Sequence, residues 1–323
     1  MTTHATPAWR DEFVLARDVR ARGAQTELVA AVRTGLLLPV IRGAYRRPED
    51  VQRALVTTHA RDDAFLARLR AAQLLATEPP IFAGQAAAAI WRLPVLTDWP
   101  SSIEVLVEPS GGGRSNATFR RSYVGWPDEH VVVDGMRLTP LAQTVVAAAR
   151  TASFAQAVAF ADAALHGADA RHGCSRRPSI ERDEIFAELA RLGHGRGVRK
   201  ARGALEFADG RSESAGESLS RVGIHFLGLP APELQVPFFD SRGLIGIVDF
   251  WWPQFNLIGE FDGLGKYLRE EFTHGRSAAE VIIDEKEREN RLRALGPGVA
   301  RWGWSIARSL PRLRGHLAAA GLH

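Results

Sequence analysis

The sequence predicts an α/β protein of more than one domain, and three observations carry the prediction. The 323 residues are 46% hydrophobic and 24% charged, an ordinary globular balance. At roughly 100–200 residues per domain, such a chain holds two or three cores. Runs with the period-two alternation of strands and runs with helical spacing succeed one another along the chain. The last third gathers several strand-like runs between helical ones, as a mixed sheet flanked by helices does.

Composition narrows the class further. The single cysteine, Cys174, rules out an intramolecular disulfide and suits a reducing compartment. No apolar run reaches the ~18 residues that a membrane span needs. The early Arg10, Asp11 and Glu12 leave no secretory apolar region, so a cytoplasmic protein with no membrane partner is expected. The formal net charge is +4, and of the 41 Lys and Arg only Lys200, Lys266 and Lys286 are lysines. An arginine excess favours bidentate phosphate contacts, although base composition of the genome explains it equally.

Residues 1–50 read as a small winged helix-turn-helix. A helix is expected over 11–21, a turn at Gly23, and a second helix that Thr26 caps and Gly35 stops. Residues 36–41 and 44–47 then form a hairpin about Arg42 and Gly43. A helix followed by a basic hairpin is how a winged module meets DNA, which makes Arg33, Arg42, Arg46 and Arg47 candidate DNA contacts. The same spacing also suits a small helical domain that only packs on its neighbour.

Residues 51–166 read as an α+β domain. Helices are expected over 53–75 and 84–91, strands over 103–107 and 118–123, and a hairpin of 130–133 with 136–138 about Asp134 and Gly135. Helices over 139–150 and 154–165 follow. Gly111, Gly112 and Gly113 are not a phosphate loop, because no Gly-Lys-Ser/Thr follows them. The histidines lack metal-ligand spacing.

Residues 167–211 read as a helical linker region. A polar loop over 167–178 precedes a helix over 179–192 capped by Ser179, and the glycine-rich stretch 193–197 breaks it. The helix over 198–207 carries Arg199 and Lys200, two further candidate DNA contacts, although a solvated face is the commoner reason for such charge.

Residues 212–323 hold the most informative stretch. Glu213, Glu217 and Arg221 recur every four residues and stack on one helix face, with Leu219, Val222 and Phe226 opposite. Pro230 and Pro232 end that helix. Strands over 234–239 and 244–251 follow about a turn at 241–243. A third strand over 255–262 places Glu260 and Asp262 on one face. Helices over 267–272 and 278–295, a strand over 302–307 and a helix over 310–320 complete the chain.

Two neighbouring strands thus bring Asp249 and Glu260 toward one point. Hard cations such as Mg²⁺ take oxygen ligands, commonly one or two carboxylates with waters and substrate phosphates. Asp249 and Glu260 are therefore candidate metal ligands, Glu217 a helix-borne acid beside them, and Lys266 a source of positive charge, with Lys286 and Arg288 as further candidates. The plainer alternative is a Glu217–Arg221 surface pair and solvated acids. Against it stands the cost of placing acids on strands as apolar as Ile245, Val248, Phe250 and Trp251 make these.

The motifs ESLSR, IVDFWWP, GEFDG and ENRLRALG with a later WGW resemble, in that order, the PD-(D/E)xK nuclease superfamily, in particular its branch related to very-short-patch-repair endonucleases. The resemblance covers roughly residues 212–310. It implies a restriction-endonuclease-like mixed sheet flanked by helices, Mg²⁺ or Mn²⁺ as cofactor, Asp249 and Glu260 as metal ligands, and Glu217 as an acid near the metal. Where the superfamily has lysine two residues after the acid, this chain has Asp262, so that role is carried by Lys266 or is missing. Over roughly residues 10–165, the stretch 33–47, GQAAAAIWRLPVL and RLTPLAQTVVAAAR resemble the AbiEi-type antitoxin module, a winged helix with a mixed domain. The two resemblances imply a DNA-binding protein that hydrolyses phosphodiester bonds in phage defence or DNA repair, with DNA and a toxin or defence-system component as partners. The alternative they allow is a non-catalytic regulator that keeps a nuclease fold for binding.

Overall fold

The computed structural model describes residues 7–55, 59–107, 115–116, 118–122, 129–168, 177–263 and 278–323. The chain divides into one unit drawn from residues 1–160 and 167–206 and another drawn from 161–166 and 207–323.

In the first unit a 3-10 turn, Ala8–Glu12, leads into β1 (Phe13–Leu15), α1 (Ala16–Ala21), α2 (Gln25–Arg33), β2 (Leu38–Ile41) and β3 (Ala44–Arg46). The three strands form an antiparallel sheet in the order β1-β3-β2. The helix expected over 11–21 therefore begins only at Ala16. Phe13 and Leu15 are buried on either side of a half-buried Val14, and that alternation draws the segment into pairing with β3. Gly35, at φ +78°, stops α2 in the left-handed conformation that glycine adopts without strain.

Instead of one helix over 53–75, the described residues form α3 (Pro48–Leu55) and α4 (Ala60–Leu75). β4 (Ile81–Phe82), α5 (Gly84–Ile90), β5 (Ile103–Leu106), β6 (Phe119–Ser122), β7 (Val131–Val133) and β8 (Met136–Leu138) follow. They build a five-stranded mixed sheet in the order β6-β5-β4-β8-β7. β4 sits at its centre and is too short to show a period. Ala86, Ala87, Ala88 and Ala89 are all buried, and their small side chains let α5 lie against α6 (Leu141–Ala149). α7 (Phe154–His166), α8 (Arg182–Arg191) and α9 (Val198–Phe207) come next. The N-cap of α8 is Glu181 and not Ser179; the Glu184 carboxylate returns to the Glu181 N–H at 2.8 Å, as in a capping box.

The second unit runs α10 (Ala215–Phe226), β9 (Glu233–Asp240), β10 (Gly243–Trp252), β11 (Leu257–Phe261), α11 (Ala278–Ala294), β12 (Gly298–Trp302), α12 (Trp304–Ala307) and α13 (Leu310–Ala319) among the described residues. The sheet order is β12-β11-β10-β9, antiparallel except for the parallel β11–β12 pair. Two of the expected strands differ from this. β11 starts at Leu257, because Pro253–Phe255 is a 3-10 turn that Asn256 closes at φ +45°. The last strand ends at Trp302, where the expected one began, and residues 304–307 are helical. The helix expected over 267–272 lies outside the described residues.

The sheet carries apolar clusters that draw in helices. Phe250, Trp252, Trp302 and Leu257 bury with Ile224 of α10 and Leu313 and Leu317 of α13; Phe250 stacks on Trp302 at 5.4 Å between ring centres. Ile245, Val248 and Ile258 bury with Leu292 of α11. Burial of large apolar side chains at about 25 cal/mol per Å² is what holds such layers together. No helix of the described residues is long and apolar enough to cross a membrane.

Candidate active site

β10 and β11 pair Phe250 with Gly259. One step along this antiparallel register, Asp249 and Glu260 stand opposite each other, as the sequence suggested. They line, with Asp262, Glu285, Arg288 and Arg301, a cleft of about 330 Å³.

Asp249 is held by the backbone of the neighbouring strand. Its Oδ2 accepts the Phe261 N–H at 2.8 Å, and Gln235 Nε2 donates to Oδ1 at 3.4 Å. The same Gln235 nitrogen donates to Glu217 Oε2 at 3.1 Å, so one amide ties the helix-borne acid to the strand-borne one. Gln235 has φ +53°, a conformation that costs a non-glycine residue about 1–3 kcal/mol and concentrates at functional positions.

Glu217 is buried at the start of α10. Its carboxylate accepts the Glu213 N–H at 2.9 Å and the Ser214 hydroxyl at 2.6 Å, while Ser214 Oγ, the N-cap, accepts the Glu217 N–H at 3.2 Å. The positive end of the helix dipole favours an anion there. Gly216 permits the placement: a Cβ at this position would collide with the Phe261 ring, so only glycine lets α10 approach β11 so closely.

Glu260 is buried with 8% of its surface exposed and carries two guanidinium partners. Arg288 Nη2 lies 2.6 Å from Oε1, and Arg301 Nη2 lies 2.6 Å from Oε2. Arg301 is its register partner on β12, and Arg288 reaches it from α11. Both arginines also bond Glu285, Arg288 Nε at 2.9 Å. Burial nevertheless pushes the Glu260 carboxyl above its ordinary range, against the pull of Arg288 and Arg301, and the Asp249 charge adds to the rise.

Asp262, the residue at the superfamily's lysine position, lies past the end of β11, with its N–H bonded to the Trp302 carbonyl at 2.8 Å. Lys266 falls outside the described residues. Gln235, Glu285 and Arg301 were not anticipated. A positive φ leaves no trace in spacing, and Arg301 joins the site only through the parallel β11–β12 pairing of distant segments.

The expected DNA contacts divide. Arg33, Arg42, Arg47, Arg199 and Lys200 are exposed, and Arg47 also lies 3.6 Å from Asp50. Arg46 is corrected: it is 2% exposed and bonds Asp63 at 2.8 Å, Glu12 at 3.0 Å and the Asp50 carbonyl at 3.0 Å. It closes a buried ion cluster and has no face for a phosphate.

Among the described residues no group of three or more His, Cys, Asp or Glu side chains gathers as a metal cage. No family model matches the chain. Two proteins of Mycobacterium tuberculosis, from strains CDC 1551 / Oshkosh and ATCC 25618 / H37Rv and both named as uncharacterized, are 36% identical to it over 145 residues, which is 41% of this chain and 50% of each relative. The chain therefore spans about half the length of the curated relatives it matches.

Proposed function

We propose that the second unit is a metal-dependent nuclease domain and that the protein as a whole binds DNA and hydrolyses its phosphodiester bonds. The observation that carries this reading is the pair of carboxylates, Asp249 and Glu260, opposed on adjacent strands in one cleft together with two arginines. The succession of α10, the β9–β10 hairpin, β11 and α11 in a mixed sheet supports it, since the PD-(D/E)xK resemblance implies a mixed sheet flanked by helices with its acids on a hairpin and the next strand.

The donor set fits Mg²⁺ or Mn²⁺. Two carboxylates, completed by waters and phosphate oxygens, are the usual protein share of such a site, and the raised Glu260 carboxyl means that added positive charge stabilises its ionised form. Asp249 and Glu260 would hold the ion, which when bound activates water and neutralises phosphoryl charge. The Phe261 N–H and Gln235 fix the Asp249 rotamer before substrate arrives. Glu217, through the same Gln235, holds α10 against that arrangement. Arg288 and Arg301 each occupy one Glu260 oxygen, and their remaining N–H groups suit the oxygens of a phosphodiester. They bring to Glu260 the cationic charge that Asp262 does not supply; Lys266 is proposed as a second source.

The test is cleavage of supercoiled plasmid and of single-stranded DNA by the full chain with Mg²⁺ or Mn²⁺. Asp249→Asn and Glu260→Gln each lower the rate at least 100-fold with the thermal midpoint retained. Undiminished cleavage by Asp249→Asn overturns the reading.

One observation favours a second reading. Both oxygens of Glu260 already meet a guanidinium, and Asp262 replaces the lysine, which suits a regulator of the antitoxin type that binds DNA and a toxin or defence-system partner without cutting. DNA binding by the wild type with no metal-dependent cleavage selects it.

A further inference from the structure

A second cleft, in the first unit, is built around Arg150 at the end of α6. Arg150 Nε donates to the Arg196 carbonyl at 2.8 Å. Gly197, at φ +80°, stands so close to the Arg150 carbonyl that any Cβ would collide with it. The glycine-rich turn 193–197, which the sequence marked only as a helix break, is thus a strap across Arg150. It delivers Arg196 and, from the first turn of α9, Lys200 to the same cleft, whose volume is about 570 Å³. β5 and β6 supply Glu104 and Arg120 to that cleft.

The charges there do not balance. Arg120 lies 3.4 Å from Glu104, the one acid among the residues lining the cleft. Arg196 and Lys200 have no carboxylate partner among the described residues, and Arg150 shares the charge of Glu104 with Arg120. Four cations against one acid leave a surplus of positive charge in a concavity, which focuses positive potential and attracts an anion, and guanidinium groups match phosphate oxygens. The volume lies within the ~300–1,000 Å³ of small-molecule sites. Glu104 is four-fifths or more buried, and burial pushes its carboxyl above the ordinary range despite Arg120 and Arg150. Glu104 lines the cleft beside these cations, where a carboxyl accepts hydrogen bonds from the hydroxyl or amino groups of a ligand.

We infer that this cleft binds a nucleotide, with its phosphate on Arg150, Arg196 and Lys200 and its donor-bearing sugar or base toward Glu104. The ligand chemistry is the same for a free nucleotide and for a nucleotide unit of a strand. The inference does not rest on the nuclease reading, whose residues belong to the other unit.

The experiment measures binding of inorganic phosphate, adenosine monophosphate and a labelled single-stranded oligonucleotide to the full chain. It compares wild type with Arg196→Glu/Lys200→Glu, with Glu104→Gln, and with Arg22→Glu/Arg312→Glu as a control of equal charge change. All four replaced cations are exposed, and the Arg196 carbonyl that anchors Arg150 survives the substitution. Wild type prefers the mononucleotide to phosphate. The Arg196/Lys200 variant binds the nucleotide probes at least tenfold more weakly, the control does not, and Glu104→Gln narrows the preference over phosphate. Tighter wild-type binding of the oligonucleotide than of the mononucleotide, with the same tenfold loss for both, identifies the strand as the source of the nucleotide. Absence of binding by wild type at millimolar probe, affinity unchanged in Arg196→Glu/Lys200→Glu, or equal wild-type affinity for phosphate and mononucleotide overturns the inference.

Discussion

Arg46 shows at the residue scale what spacing conveys and what it omits. Its place on the hairpin was legible, and β3 is where the sequence put it. Its direction was not, because the acids that enclose it come from segments 17 and 34 residues away. Removing one member of a buried charge cluster leaves the others uncompensated, at a cost of about 3–5 kcal/mol. Arg46→Ala is therefore expected to lower stability by that order in urea unfolding. A variant of unchanged stability that binds DNA less well contradicts this placement. Asp249 and Glu260 were legible for the opposite reason: strand alternation and one short connection were enough to bring them together.

Asp162 is a second case. It is fully buried in the second unit, where its Oδ1 accepts the Asp209 N–H at 2.7 Å and Arg221 lies 3.8 Å away. Burial pushes its carboxyl up to about 6, against the opposing pull of Arg221. A raised folded-state value means that the protonated form is the one the fold prefers. Its contribution is complete below about pH 4, where the unfolded chain is also protonated. It is lost as pH rises from about 4 to about 6 and constant above that. The change is on the order of 3 kcal/mol. Asp162→Asn removes it, so the stability of wild type relative to the variant falls across pH 4–6 in urea titrations. A pH-independent difference between the two contradicts the burial argument.

At the scale of elements, the sequence located most helices and strands of the second unit because their apolar periods are long. It missed where context overrides pattern. The sequence pattern places β1 within a helix because three residues are too few to announce a strand, and pairing with β3 decides their state. The stretch 304–307 became helical because Gly303 interrupts the alternation expected to continue after Trp302. β4 had no signal of its own. α10 is the element on which the site depends most, and its start is fixed by Ser214. Ser214→Ala removes the cap and one of the Glu217 hydrogen bonds, for an expected loss of about 1 kcal/mol measured by chemical denaturation. A loss near zero indicates that the close packing of Gly216 on Phe261 alone sets the helix position.

At the scale of the whole molecule, the two units carry different chemistry. The first presents exposed arginines and a cationic cleft; the second opposes two carboxylates across a sheet layered with helices. The acidic pair was legible in the sequence and Arg288 stood among its candidate cations, but Arg301 was not, since it meets Glu260 only through the parallel pairing of β11 with β12. On the proposed reading, these charges separate hydrolysis from binding without cleavage. The most direct test is calorimetric titration of Mg²⁺ and Mn²⁺ into the wild-type protein and into Asp249→Asn/Glu260→Gln. Wild type is expected to bind the ion, and the double variant, still folded, to bind none. Equal binding by both proteins, or none by the wild type in the presence of DNA, contradicts a metal centre at Asp249 and Glu260.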